Sequence, residues 1–161
     1  MYAIYKQKKY DADIELDNTV TIYSYVKEEG FENDITPWGE VEDDYFSKRV
    51  NMNELDFLYE IEYEIKYKGH FYIFENGDFT KRAIEEDKFY ILTFDISNAK
   101  FFESLGFTRS DKFYFDKKIS RSDIEAIKII EEPEGIFKDR VSKVKIIEGK
   151  DIDDFLASVK D

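Results

Sequence analysis

Residues 45–62, YFSKRVNMNELDFLYEIE, align without a gap on residues 114–131, YFDKKISRSDIEAIKIIE. Tyr45/Tyr114, Phe46/Phe115, Lys48/Lys117, Ile61/Ile130 and Glu62/Glu131 are identical, and Arg49/Lys118, Val50/Ile119, Glu54/Asp123, Leu55/Ile124, Asp56/Glu125 and Leu58/Ile127 keep their chemistry. The same offset of 69 pairs TIYSY (21–25) with YILTF (90–94). An offset of 62 pairs IYKQKKY (4–10) with KYKGHFY (66–72), and one of 76 pairs Gly30-Phe31 with Gly106-Phe107. Matches that stay in order along the chain imply a duplicated unit, and each copy must then build its own small core. The changes of offset place seven extra residues of the second copy in 75–87 and seven more in 95–107, while the first copy has seven extra between its Gly-Phe and its Tyr-Phe.

Within each copy the pattern is mainly β. KKYDADIEL and TVTIYSYV read as strands joined by a turn at Asp17-Asn18, and YFSKRV and YFDKKI alternate as half-buried strands do. A short helical signal follows each, with Asn51 or Asn53 and Ser120 or Ser122 as candidate caps, and then a further β-prone run. Several strands, a one-turn helix and a closing strand is the order of an SH3-like barrel. The expectation is two tandem SH3-like small β-barrels, residues 1–62 and 63–132, sharing the strand around 59–68. A C-terminal strand–helix extension, 133–161, follows a linker at Glu132-Pro133-Glu134-Gly135. A single α+β domain with one continuous sheet is the alternative. Residues 97–106 read as a helix with a Ser97 cap and a Gly106 stop. Residues 151–160 read as another, capped by Asp151, with Lys160 set against the dipole at its far end.

Composition narrows the function classes. The 161 residues carry 24 basic and 37 acidic groups, a net charge of −13. The first 61 residues hold six basic and fifteen acidic groups, so most of the excess is there. A phosphate backbone or an anionic membrane surface repels such a chain, so neither nucleic acid nor membrane is an expected partner. Without cysteine there is no disulfide, thiolate metal site or thiol nucleophile. The N-terminus has no secretory apolar core and no run reaches a membrane span, so the cytoplasm is the expected compartment.

No motif supports catalysis. His70, the single histidine, follows Lys68-Gly69 and reads as an exposed turn residue. There is no Gly-x-Ser-x-Gly elbow and no Gly-rich phosphate cradle. Asp11-x-Asp13 and Asp151-x-Asp153-Asp154 are too sparse for a calcium loop, and 40–44 has the charge without the spacing. The expectation is a non-enzyme with no cofactor and no metal. What stands out is residues 30–44, GFENDITPWGEVEDD, where Glu32, Asp34, Glu40, Glu42, Asp43 and Asp44 surround Trp38 with no lysine or arginine among them. The stretch contains the residues that the second copy lacks, so the repeat itself does not demand it. Tryptophan dominates binding hot spots, and carboxylates steer a basic partner. These seven residues are the candidate partner-binding set.

In size, acidity, absence of catalytic signatures and aromatic-rich β character, and in YFSKRV…ELDFLYEI with its repeat, the chain resembles bacterial immunity proteins of polymorphic toxin systems. The resemblance implies a stoichiometric inhibitor that occludes the active site of a basic, nuclease-type toxin; it assigns no residue. A tandem SH3-like adaptor that binds a peptide or structural protein through aromatic grooves is the second expectation.

Overall fold

The computed structural model describes residues 1–159; Lys160, the expected dipole partner, lies outside them. The chain is mainly β, with antiparallel strand pairing in an open sheet and three short α-helices among the described residues. It divides into two compact units, Met1–Ile61 with Glu131–Lys143, and Glu62–Ile130 with Val144–Asp161. The stretch 133–159 is therefore shared between them.

Unit 1 contains β1 (Tyr2–Tyr5), β2 (Lys8–Ile14), β3 (Thr19–Ser24), β4 (Glu32–Ile35), β5 (Val41–Asn51) and the first half of β6 (Phe57–Tyr67), in the order β4-β5-β3-β2-β1-β6. Period-two alternation sorts the side chains. Ala3, Tyr5, Tyr10, Ala12, Val20, Ile22, Phe46, Val50 and Leu58 turn inward and form one core with Phe31, Met52, Leu55 and Phe137. The residues between them face the other way. The β2–β3 turn lies where Asp17-Asn18 predicts it, with Asn18 at φ +62° and Asn18 N donating to Glu15 O at 3.0 Å.

Unit 2 holds the second half of β6, β7 (His70–Phe74), α1 (Lys81–Glu85), β8 (Phe89–Thr93), α2 (Ala99–Ser104), β9 (Phe115–Ile119), β10 (Ala126–Pro133), β11 (Lys143–Glu148) and α3 (Lys150–Ser158). Its strands run β10-β6-β7-β8-β9, with β11 on the outer side of β10. Phe89, Phe115, Ile65, Ile91, Ile127 and Ile152 are almost completely buried in its core.

The offsets read from sequence reappear as local devices. The β1–β2 turn has Lys6 and Gln7 at φ +50° and +65°; the β6–β7 turn has Lys68 and Gly69 at +46° and +82°. Two adjacent positive φ values mark the two-residue turn whose twist suits a hairpin. Gln7 N donates to Asp56 Oδ2 at 2.9 Å, and Gly69 N to Glu125 Oε2 at 3.0 Å. A 3-10 turn follows β5 at Met52–Glu54 and β9 at Arg121–Asp123, each with a capping box, Asn51/Glu54 and Ser120/Asp123. Lys48 Nζ lies 5.2 Å from the Tyr5 ring and 6.0 Å from that of Phe31, against Gly30. Lys117 Nζ lies 5.6 Å from the Tyr67 ring, against Gly106, whose carbonyl it reaches at 3.2 Å.

Several expectations need correction. The one-turn helices expected after β5 and β9 are present as 3-10 turns, but they end earlier than the capped segments suggest, because Phe57-Leu58 and Ala126-Ile127 enter β6 and β10, where Leu58 and Ile127 are fully buried. Helix α2 begins after Asn98, and Ser97 instead bonds Asp95. Helix α3 begins after Gly149, leaving Asp151 within its first turn, where its charge still suits the dipole. Within 75–87, read only as a turn region, Thr80 accepts from Ala83 N at 3.2 Å and starts α1.

The stretch 132–135 is no linker. Pro133 ends β10 buried, Glu134 N donates to Leu58 O at 2.9 Å, and Phe137 enters the unit 1 core. Gly135 sits at φ +59° with Met52 Sδ where a Cβ would stand, so the tight packing needs glycine there.

One pair of positions matched in the sequence differs between the units. Tyr10 OH donates to Glu28 at 2.9 Å, whereas its counterpart Tyr72 OH is buried without a partner. A buried unpaired hydroxyl costs about 1–3 kcal/mol. Tyr72→Phe is therefore expected to leave stability unchanged or raise it by about 1 kcal/mol, and Tyr10→Phe to lower it by about 1 kcal/mol, in urea unfolding followed by circular dichroism.

Candidate functional site

The acidic stretch 30–44 is a hairpin at the sheet edge. Thr36 N donates to Glu40 O at 2.8 Å, Gly39 N to Thr36 O at 2.9 Å and Glu40 N to Thr36 Oγ1 at 3.1 Å. These bonds close a three-residue loop of Pro37, Trp38 and Gly39. Proline presets the tight turn and Gly39 takes φ +85°, the left-handed position that ends such a loop. Turn chemistry thus accounts for Pro37 and Gly39, but not for the indole between them. Trp38 is 86% exposed, and Ile35 and Val41, paired across the hairpin, are exposed beside it.

The acids follow from a break in register. β4 pairs Glu32 with Ser47 and Asn33 with Phe46, then Ile35 with Val41, so two steps along β4 span five along β5. Asn33 Nδ2 fills the gap by donating to Glu42 O at 2.8 Å. A bulged backbone no longer alternates its side chains between two faces. Glu42, Asp43 and Asp44 consequently all reach solvent. They line an open groove of about 550 Å³ with Tyr25 and Tyr45.

Glu32 and Asp34, on β4, lie in a neighbouring hollow with Glu15, Lys48 and Arg49. The Arg49 guanidinium is committed to Asp17, at 2.8 Å, and to Thr19. Among the described residues none of the seven candidates forms an ion pair within the chain. The structure brings Glu42, Asp43 and Asp44 together and sets Asp34 close to Tyr45. Trp38 and Glu40 stand apart at the tip.

Sequence reasoning misses the tyrosines beside the hairpin. On the outward face of unit 1 the ladder aligns Tyr59 with Tyr2, Tyr2 with Asp11, Asp11 with Tyr23, Tyr23 with Ser47 and Ser47 with Glu32. Tyr23 and Tyr45 stack at 5.4 Å and 4°, and Tyr25 leans on Tyr45 at 5.0 Å. The signal is present in the sequence as Asp11-x-Asp13 and Tyr23-x-Tyr25, a period of two that puts each pair on one strand face. Choosing that face requires the register.

His70 opens β7, exposed, with its ring 5.7 Å from Phe101. Among the described residues no cluster of three or more His, Asp or Glu is placed to hold a metal ion. No helix among them is long and apolar enough to cross a membrane.

Burial first, and then the Asp13 carboxylate, push the Tyr23 phenol well above its ordinary range; burial and neighbouring phenol and carboxylate groups raise Tyr45 to about 12. Both phenols hold their protons longer in the folded chain than in the unfolded one. Their contribution is complete below the unfolded pKa of ~10 and declines as pH rises toward about 12. Urea midpoints are expected to fall between pH 9 and pH 11, and to fall less in the Tyr23→Phe, Tyr45→Phe double variant.

No curated protein and no solved structure matches the chain. The family described as uncharacterised conserved protein UCP033725 matches residues 1–136, which include all of the hairpin, the tyrosine face and the 3-10 turns that follow β5 and β9. With most of its length so matched, the chain belongs to that family.

Proposed function

We propose that this chain is a non-enzymatic binding protein that neutralises a basic, nuclease-type toxin in the cytoplasm by covering its active site, as bacterial immunity proteins do. One observation carries the reading: an exposed tryptophan at the tip of a hairpin whose carboxylates form no ion pair among the described residues. A solvent-exposed indole gains nothing for the free protein, and clustered carboxylates repel one another. Both become favourable against a basic cleft. The ring supplies apolar contact that slows dissociation, and the carboxylates speed encounter and occupy positions where substrate phosphates would sit.

Each unit is further proposed to follow the plan of an SH3-like small barrel. In unit 1 the last strand, β6, lies beside the first, β1; in unit 2 β10 lies beside β6; and a 3-10 turn precedes β6 and β10. An adaptor that uses both units alike would need the same groove twice. The β4–β5 hairpin belongs to unit 1, while unit 2 places helix α2 between β8 and β9, which favours the inhibitor over the adaptor.

The test is to express the C-terminal domain of a large secreted protein encoded beside the gene for this chain and to follow its cleavage of DNA and RNA with and without the chain. One equivalent of the chain is expected to stop cleavage. Trp38→Ala is expected to weaken binding by ~2 kcal/mol, roughly 30-fold. Replacing Glu40, Glu42, Asp43 and Asp44 with their amides is expected to slow association about tenfold at low salt and to flatten its salt dependence. Undiminished cleavage at a twofold excess of the chain would overturn the proposal.

A further inference from the structure

We propose that the hollow between Tyr2, Tyr23 and Tyr45 on the outward face of unit 1 is a receptor for one arginine side chain presented by a basic protein. The inference rests on reading the chain as a binder of such a protein, but it concerns a surface separate from the hairpin tip. The hollow is open to solvent, with a volume of about 460 Å³, and Met1, Asp11, Ala12, Asp13 and Asp34 complete its lining. It combines flat aromatic faces with carboxylates at their edges, the two features that a guanidinium uses at once.

The position of these groups follows from the ladder. Asp11 lies directly opposite both Tyr2 and Tyr23, and Asp13 is two residues further along the same face. Tyr45 stacks on Tyr23 at an angle of 4°, so the two rings hold each other in one orientation. None of the three carboxylates forms an ion pair among the described residues.

This face already attracts a cation. Lys9 Nζ stands 3.7 Å above the Tyr2 ring and 5.8 Å from the Tyr59 ring. Over Tyr23 and Tyr45 no lysine or arginine of the described residues is found, although the carboxylates converge there. A guanidinium lying flat on Tyr23 would direct its N–H groups outward in the ring plane, toward carboxylates on either side. An ammonium is a point charge that stays strongly hydrated and cannot stack. The chemistry therefore favours arginine over lysine, and either over a neutral isostere.

The probe is the peptide acetyl-Gly-Arg-Gly-amide, with its lysine and citrulline counterparts, titrated into the full chain while tyrosine ring signals are followed by NMR. The arginine peptide is expected to move the Tyr23 and Tyr45 rings at about three- to tenfold lower concentration than the lysine peptide. Citrulline, which keeps the shape without the charge, is expected to have no effect over the same range. Asp13→Asn and Tyr23→Leu should each weaken the arginine response about fivefold or more. Asp13→Asn preserves size on an exposed strand position, so its urea midpoint shows that the loss is not one of folding.

Trp38→Ala should leave the peptide titration unchanged, although it weakens toxin binding. The two proposals can therefore fail separately. Equal responses to arginine and lysine, spread over all acidic positions, would overturn the receptor and leave only charge attraction. So would responses confined to the hairpin.

Discussion

The pleat of the unit 1 sheet is the constraint on which the rest depends. A strand can bury only one of its two faces in a given core, and in β1, β2, β3 and β5 the buried face is filled by Ala3, Tyr5, Tyr10, Ala12, Val20, Ile22, Phe46 and Val50. Once those residues are inside, Tyr2, Asp11, Asp13, Tyr23 and Tyr45 have no choice but to share the opposite face. The tyrosine–carboxylate surface is thus a consequence of core packing. A one-residue slip of β2 against β3 would bury aspartates and expose Tyr10 and Ala12, and the cost of that exchange holds the surface in register.

The two units use the same local physics to different ends. Both have a two-residue turn held by a carboxylate from the closing segment, a capped 3-10 turn, and a lysine folded back between a glycine and aromatic rings. Such devices are short-range and survive changes elsewhere. The differences lie in the segments between them. Unit 1 extends its ladder with an edge hairpin, and unit 2 inserts α1 and α2. Edge strands invite unwanted pairing, and β4 is protected by being four residues long, charged and broken in register. The bulge that protects the edge also turns three consecutive carboxylates to solvent, so a defence against aggregation and the proposed docking surface coincide.

The electrostatic arrangement explains why the unpaired acids are tolerated. Where carboxylates in this chain have a structural duty they are occupied: Asp17 with Arg49, Glu28 with Lys8 and Tyr10, and Asp153 with Arg121. Those of the hairpin and of the tyrosine face form no ion pair among the described residues. They lie on exposed or half-exposed strands, where water screens their mutual repulsion.

From sequence alone the β character, the Asp17-Asn18 turn, a strand around 59–68 and the weight of the acidic stretch were legible, because they rest on local pattern: period two, turn residues and composition. Asn51 and Ser120 were readable as caps for the same reason. Where each capped turn ends was not, since that depends on where Leu58 and Ile127 find a core. Pro133 and Gly135 carried the composition of a linker, yet they pack, because Leu58 offers a carbonyl and Met52 leaves room only for glycine. The sequence showed Trp38 among acids but could not show that a register break turns those acids outward together. Nor could it join Tyr2, Tyr23 and Tyr45, up to 43 residues apart, into one hollow. Only the ladder of long-range hydrogen bonds decides which residues of different strands become neighbours.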